Sequence, residues 1–199
     1  MYEIRSVENL EDFLAGSRLT YISYLSSGLI NKNSFGLYIS RYHILPVAAM
    51  YLCIQDKPLY TATIVRATEQ YGLPLMEDFP ELEQFCKDPL TCEITCLAGS
   101  TDVKALFNLF SYLSQLLLHF ERYIMVCHPV HARYYERKFG AIRISDVREI
   151  KRVNNNPGIA LCLNRAVPDT SSFIPPQPKW FSQDLISRIK PLAELVWND

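Results

Sequence analysis

Glu93 is the lone charge in the apolar run Thr91–Leu97. A carboxylate carried into a core on a strand suits proton abstraction, directly or through water, because burial raises its pKa toward the working range of a base. The same residue also fits a structural role, as a buried glutamate paired with an arginine such as Arg66; an isolated buried carboxylate is costly without a task or a partner. His128 and His131 stand three apart across a proline-started turn with no third ligand at a usual spacing, so no metal site is expected. Cys127 beside His128 suggests a thiol nucleophile, but a cysteine on a central strand is more often a small hydrophobe of the core. Of the six cysteines, Cys92 and Cys96 are four apart and no CxxC pair exists, which favours reduced structural thiols over zinc ligands or disulfides.

These residues need elements to position them. Asn9 to Ser27 carries Leu10, Phe13, Leu14, Leu19, Ile22 and Leu25 on one broad stripe, which predicts a helix capped by Ser6 or Asn9 and stopped by Gly28. Residues 29–46 read as loop. Val47 to Ile54 and Leu59 to Ala67 flank Gln55-Asp56-Lys57-Pro58 and read as an antiparallel hairpin. Pro80 to Phe85 is a short helix candidate. Thr91 to Leu97 is a strand, and Asp102 caps a long helix to Phe120 that is apolar around most of its circumference and expected to be buried on two sides. Arg122 to Cys127 is the next strand. A helix follows from His128-Pro129 to Phe139, with proline at its first position and Gly140 as its stop. Ile142 to Val153 and Ile159 to Val167 flank Asn154-Asn155-Asn156-Pro157-Gly158, predicting a second hairpin. Pro168 to Pro178 reads as a linker, and Trp180 to Trp197 as an amphipathic helix kinked or broken at Pro191. Strand, helix, strand in the middle implies one parallel pair inside an otherwise antiparallel sheet, able to splay around an extended ligand. The expected organisation is one α/β (α+β) domain over residues 1–167, followed by the linker and helix at 168–199.

The chain has 199 residues, 49% of them apolar and 21% charged, enough to bury a real core. No apolar run reaches the roughly 18 residues of a membrane span, and the N-terminus lacks a signal-peptide pattern. A cytoplasmic protein with no stable membrane insertion is therefore expected. The net charge of −1 hides an asymmetry: residues 122–152 carry 8 Lys/Arg against 3 Asp/Glu, while residues 1–121 carry 8 against 14. The basic block fits an anionic partner met at one face, or charges alternating along a solvated hairpin and helix.

The element order, with His128-Pro129-x-His131-Ala132-x-Tyr134-Tyr135-Glu136-x-x-Phe139-Gly140, resembles the GNAT superfamily of N-acyltransferases. Leu73-Pro74 followed by Phe79 and Glu83, then Cys92-Glu93-Ile94-Thr95-Cys96-Leu97, and the last hairpin Asn156-Pro157-Gly158-Ile159-Ala160-Leu161-Cys162-Leu163 resemble the acyl-carrier-dependent N-acyl amino acid synthases, the long-chain N-acyltyrosine synthase group. The resemblance covers residues 45–167. CoA-dependent members carry a glycine-rich loop before the long helix whose backbone N–H groups cradle the pyrophosphate. Here that stretch is Ala98-Gly99-Ser100-Thr101-Asp102-Val103-Lys104, with one glycine and an aspartate that repels phosphate. A carrier-borne pantetheine has no nucleotide to cradle, and an acidic carrier protein suits the basic block.

The resemblance implies acyl transfer from an acyl carrier protein to the α-amine of an amino acid. The acyl-phosphopantetheine would be a co-substrate, with no resident cofactor and no nucleic-acid partner. Glu93 would be the base. Tyr135 matches the tyrosine that protonates the departing thiolate, with Tyr134 beside it confusing the register and sheet packing an equal reading. Backbone N–H groups near Leu97, Ala98 and Gly99 would polarise the carbonyl if the strand bulges there. Arg66, Arg18 or Arg133 would hold the acceptor's carboxylate, Arg66 preferred because it ends a strand leading into the cleft, although each such arginine is more often a surface or structural ion pair. Lys104, Arg133, Arg137 and Lys138 would meet the carrier, or be ordinary solvated helix surface. Phe107, Phe110, Tyr112, Phe120 and Tyr123 would line an acyl tunnel, or simply pack a core. The rival readings are a GNAT acetyltransferase using acetyl-CoA and a non-catalytic module that binds an acyl chain or a partner protein.

Overall fold

The structure is a computed structural model describing residues 1–164 and 175–199. β1 (Glu3–Ser6) precedes α1 (Leu10–Ser26). Asn9 caps α1 by accepting the Asp12 N–H at 2.9 Å, which satisfies one of the amides a helix start leaves open. β2 (Ala48–Ile54) and β3 (Pro58–Arg66) flank the expected turn, with Pro58 already the first residue of β3. Two 3₁₀ turns, Pro74–Glu77 and Pro80–Leu82, each begin on a proline, and the second leads into α2 (Glu83–Lys87). β4 (Thr91–Gly99), α3 (Val103–Leu116), β5 (Arg122–Cys127) and α4 (Pro129–Phe139) form the middle of the chain. Gly140 ends α4 at φ 67°, a left-handed conformation that costs glycine little. β6 (Ile142–Arg143), β7 (Arg148–Ile150) and β8 (Asn156–Asn164) complete the sheet, and α5 (Gln183–Trp197) lies near the C-terminus.

The strands run in the order β1-β2-β3-β4-β5-β8-β6, with β7 also pairing β8. The β1–β2, β5–β8, β6–β8 and β7–β8 ladders are antiparallel, whereas β4–β5 is parallel, as a crossover through α3 requires. The fold is thus an open, mostly antiparallel mixed sheet with one parallel pair and flanking helices. The parallel ladder runs from Thr91↔Arg122 to Glu93↔Ile124, while β4 itself continues to Gly99.

The chain forms two compact units. The first holds Met1–Ile64, Cys96–Leu113 and Pro178–Asp199. Its core includes Phe13, Tyr42, Met50, Tyr51 and Leu52, all buried. Phe13, His43 and Phe181 stack edge-on, with Phe13 6.0 Å from Phe181 and 5.5 Å from His43. The C-terminal segment is tied in by the Phe181 N–H on the Ala48 carbonyl at 2.8 Å and the Trp197 indole N–H on the Ile39 carbonyl at 2.6 Å. The second unit holds Val65–Thr95 and Ser114–Gln177, with Leu73, Leu75, Phe79, Cys92, Ile124 and Ala160 buried.

Several expectations are corrected. β1 was not expected: its four residues include Glu3 and Arg5, and it is recognisable only by its pairing with β2. The stretch Ile142 to Val153 is not one strand. It splits into β6, β7 and a 3₁₀ turn at Lys151–Val153, because the Ser145 hydroxyl, not a strand carbonyl, accepts the Ala160 N–H. The turn residues after it are Asn154 and Asn155, both left-handed, so β8 begins at Asn156 and already contains Pro157 and Gly158. α3 buries Ala105, Leu109, Leu113 and Leu116 along one face and leaves Val103 and Phe107 more than half exposed, so it is not covered on two sides and Phe107 lines no interior. α5 continues through Pro191 without a break, and the exposed side chains around it leave room for the lost amide bond to be solvated. The expected linker at Pro168 to Pro178 lies mostly outside the described residues, as does the end of the strand expected at Val167.

Candidate active site

Glu93 stands on β4 in the second unit and is buried to 1% exposure. Three neighbours from that unit make this tolerable. Oε2 accepts the Leu75 N–H at 2.7 Å, supplied by the Pro74–Glu77 turn. Oε1 lies 3.6 Å from Nη2 of Arg152, whose Nε is 3.2 Å from a carboxylate oxygen of Asp78. The arginine that meets Glu93 is therefore Arg152.

Burial pushes the Glu93 carboxyl up to about 7, opposed by the Arg152 charge and the Leu75 amide and reinforced by Asp78 and Glu77. Near neutral pH the group can both accept and release a proton, which is the property a general base needs. Sequence reading missed Arg152, Asp78 and the Leu75 amide. The only signal for Arg152 was its place in the basic block, and nothing in Leu73-Pro74 shows which backbone N–H the proline turn will aim inward.

Three residues beyond Glu93, Cys96 adopts φ 52° inside β4. A non-glycine residue in this left-handed region costs about 1–2 kcal/mol and marks a bulge in the strand. The bulge comes immediately before Leu97, Ala98 and Gly99, the stretch whose amides were expected to meet a carbonyl. Gly99 is required there by close approach, since a Cβ would lie 2.5 Å from the Leu59 carbonyl oxygen.

The N-terminus of α3 is already occupied. Asp102 accepts the Lys104 N–H at 2.9 Å and the Ala105 N–H at 3.1 Å, and its other oxygen accepts the Tyr2 hydroxyl at 2.8 Å. These amides are the ones a pyrophosphate cradle would use, and a carboxylate holds them.

Tyr134 and Tyr135 differ in burial, although both rings pack near Phe139. Tyr134 is 47% exposed, whereas Tyr135 is half-buried and burial raises its pKa. Tyr135 packs against Phe139 at 6.1 Å, on the same helix. Arg66 ends β3 half-buried in the second unit, and Arg18 is exposed on α1 in the first. Arg133, Arg137 and Lys138 are exposed on α4, while Lys104 is exposed in the first turn of α3 and belongs to the first unit.

The basic block is partly neutralised. Arg122 pairs with Asp88, Arg143 with Glu136, Arg148 with Glu81 and Arg152 with Asp78 and Glu93. Among the described residues Arg133, Arg137, Lys138 and Lys151 make no ion pair, and three of these four lie on α4. His128 caps α4 through Nδ1, which accepts the Val130 N–H at 3.3 Å. No group of three or more metal-ligating side chains occurs among the described residues. None of their helices is long and apolar enough to cross a membrane.

Comparison with known proteins gives this arrangement a context. No curated protein sequence matches the chain. Among solved structures, FeeM, an N-acyl amino acid synthase from uncultured soil microbes, is similar with a TM-score of 0.69 at 19% identity, over 82% of this chain and 92% of that one. The acyl-homoserine lactone synthase LasI is similar with a TM-score of 0.61 at 15% identity, over 82% and 89% of the two chains. The CoA-dependent acyl-homoserine lactone synthase BjaI gives 0.66 at 13% identity, over 96% and 100%. At such identities these likenesses establish the shared GNAT-like fold. Residues 15–164 match the family described as N-acyl amino acid synthase FeeM. With three quarters of its length inside that match, the chain is an acyltransferase belonging to the FeeM family of N-acyl amino acid synthases.

Proposed function

We propose that the protein transfers a long-chain acyl group from the phosphopantetheine thioester of an acyl carrier protein to the α-amine of an amino acid. The observation that carries the choice of donor is the Asp102 carboxylate seated on the first amides of α3. A CoA pyrophosphate would have to displace a like charge to reach those amides. A carrier-borne pantetheine makes no such demand, and the unpaired cations Arg133, Arg137 and Lys138 of α4 suit an acidic carrier. Lys104 would add a further contact from α3.

In this reaction the amine nitrogen attacks the thioester carbonyl carbon, and the C–S bond then breaks. Glu93 takes the proton the amine must lose. The N–H groups of Leu97, Ala98 and Gly99, re-aimed by the bulge at Cys96, stabilise the charge on the carbonyl oxygen. Tyr135 gives its phenolic proton to the departing thiolate. Arg66, with Arg18 or Arg133 as alternatives, holds the acceptor's carboxylate by its planar fork. The chain needs no resident cofactor for these steps, because the acyl-phosphopantetheine arrives as co-substrate.

The test compares one acyl chain delivered on carrier protein and as free acyl-CoA, over a panel of amino acids. The carrier-borne donor is expected to give a kcat/KM higher by about tenfold or more, falling as salt screens the encounter. Equal or better use of acyl-CoA would sink the carrier assignment.

A further inference from the structure

No step above uses Arg152 or Asp78, yet both are drawn to the buried carboxylate the reaction depends on. They belong to a clamp between two segments of the second unit. From β7, Nη1 of Arg148 donates to the Asp78 carbonyl at 3.0 Å, its Nη2 meets Glu81 at 2.5 Å, and its guanidinium lies 4.6 Å from the centre of the Phe79 ring. From the following 3₁₀ turn, Arg152 spans Asp78 at 3.2 Å and Glu93 at 3.6 Å. The clamped loop is the one that presents the Leu75 N–H to Glu93 at 2.7 Å. One guanidinium thus serves two carboxylates whose side chains are only 4% and 1% exposed, and the shorter distance is to Asp78. Besides Arg152 and Asp78, the titratable group that acts on Glu93 is Glu77 on the same loop, while the Glu93 charge itself helps to raise the thiols of Cys86 on α2 and Cys92 beside it on β4. None of these carries a positive charge, so Arg152 is the cation that governs this carboxylate among the described residues.

We propose that Arg152 is a positioning residue that holds the Glu93 carboxylate against the Leu75 amide, and that Asp78 competes for the same guanidinium and so keeps Glu93 ready to take a proton. This rests on Glu93 being the base. A purely structural clamp predicts lower stability when either partner is lost. The competition predicts more, namely opposite movements of the Glu93 titration. Removing the Arg152 charge leaves two carboxylates without their cation and disfavours the ionised form. Removing the Asp78 charge deletes a like charge and ends its competition for the guanidinium, which favours the ionised form of Glu93.

The titration can be followed directly in the full chain by the infrared carboxyl band that disappears in Glu93→Gln, alongside the pH profile of kcat/KM. In the native protein the band should titrate near pH 7. Asp78→Asn should move it down by about one pH unit, Arg152→Gln should move it up by about as much, and Arg152→Lys should stay near the native value. The acidic limb of kcat/KM should follow the band in each variant. An Asp78→Asn band that stays put or moves up overturns the proposal, and this variant decides the matter even if Arg152→Gln fails to fold. Failure of the base reading looks different: Glu93→Gln would then keep its activity whatever the band does in the other variants.

Discussion

Glu93→Gln is expected to lower kcat/KM for acyl transfer by about 10²- to 10⁴-fold, the usual worth of a positioned general base. The fold should survive, because the glutamine carbonyl can still accept the Leu75 N–H now held at 2.7 Å. Stability should respond to pH in a defined direction. Burial holds the carboxyl at about 7 against its ordinary 4.5, so between those values the folded chain keeps a proton that the unfolded chain has released. The stabilisation this gives is fully present below the unfolded value and is lost as pH rises through the folded one. Denaturant titrations of the native protein and the variant should therefore diverge by about 3 kcal/mol between pH 4 and pH 8, with the native protein losing ground at the alkaline end. A variant with native turnover would remove Glu93 from the mechanism. A stability difference independent of pH would show that the carboxyl is not held protonated by burial.

Gly99→Ala should be the most damaging small change near the end of β4. The added Cβ would meet the Leu59 carbonyl oxygen at 2.5 Å and crowd the Tyr60 ring even more closely. Neither can give way cheaply. The Leu59 carbonyl accepts the Ser100 N–H at 2.8 Å, and the Tyr60 hydroxyl is anchored on the Ser100 carbonyl. Overpacking of this kind costs about 1–3 kcal/mol and sometimes more. Thermal unfolding should shift down by roughly 5 °C or more for a chain of this size. Acyl transfer should fall further than stability alone explains, because the displaced backbone includes the amides after the bulge. An unchanged Tm would mean that the strand end tolerates movement and that Gly99 is not fixed by close approach.

Much of this architecture could be read from the chain because its signals are local. Asn9, Gly28, Pro129 and Gly140 punctuate helices whose apolar stripes set their extents, and Gln55-Asp56-Lys57-Pro58 marks the first hairpin. The alternation of strand, helix and strand around α3 then fixes the parallel pair. β1 escaped because an edge strand of four residues with two charges has no local signature. The split between β6 and β7 escaped because a serine hydroxyl takes over a ladder bond, an event decided by the partner strand.

The candidate site divides in the same way. That Glu93 is buried follows from the apolar residues on either side of it. That Arg152 meets it depends on where two loops lie in space, and four arginines of the basic block looked alike until their partners Asp88, Glu136, Glu81 and Asp78 were seen. The cap at Asp102 was legible as a helix start. Its consequence for the donor became concrete only with the two amides it occupies.

The most direct test of the account is to express the chain in a bacterial host, which supplies acylated carrier proteins and amino acids together, and to identify the acylated products by mass spectrometry. An N-acyl amino acid whose acyl chain matches the host's carrier-borne pool should accumulate, and should disappear with Glu93→Gln. Accumulation of a short N-acetyl product, or of no acylated amine at all, would contradict the account.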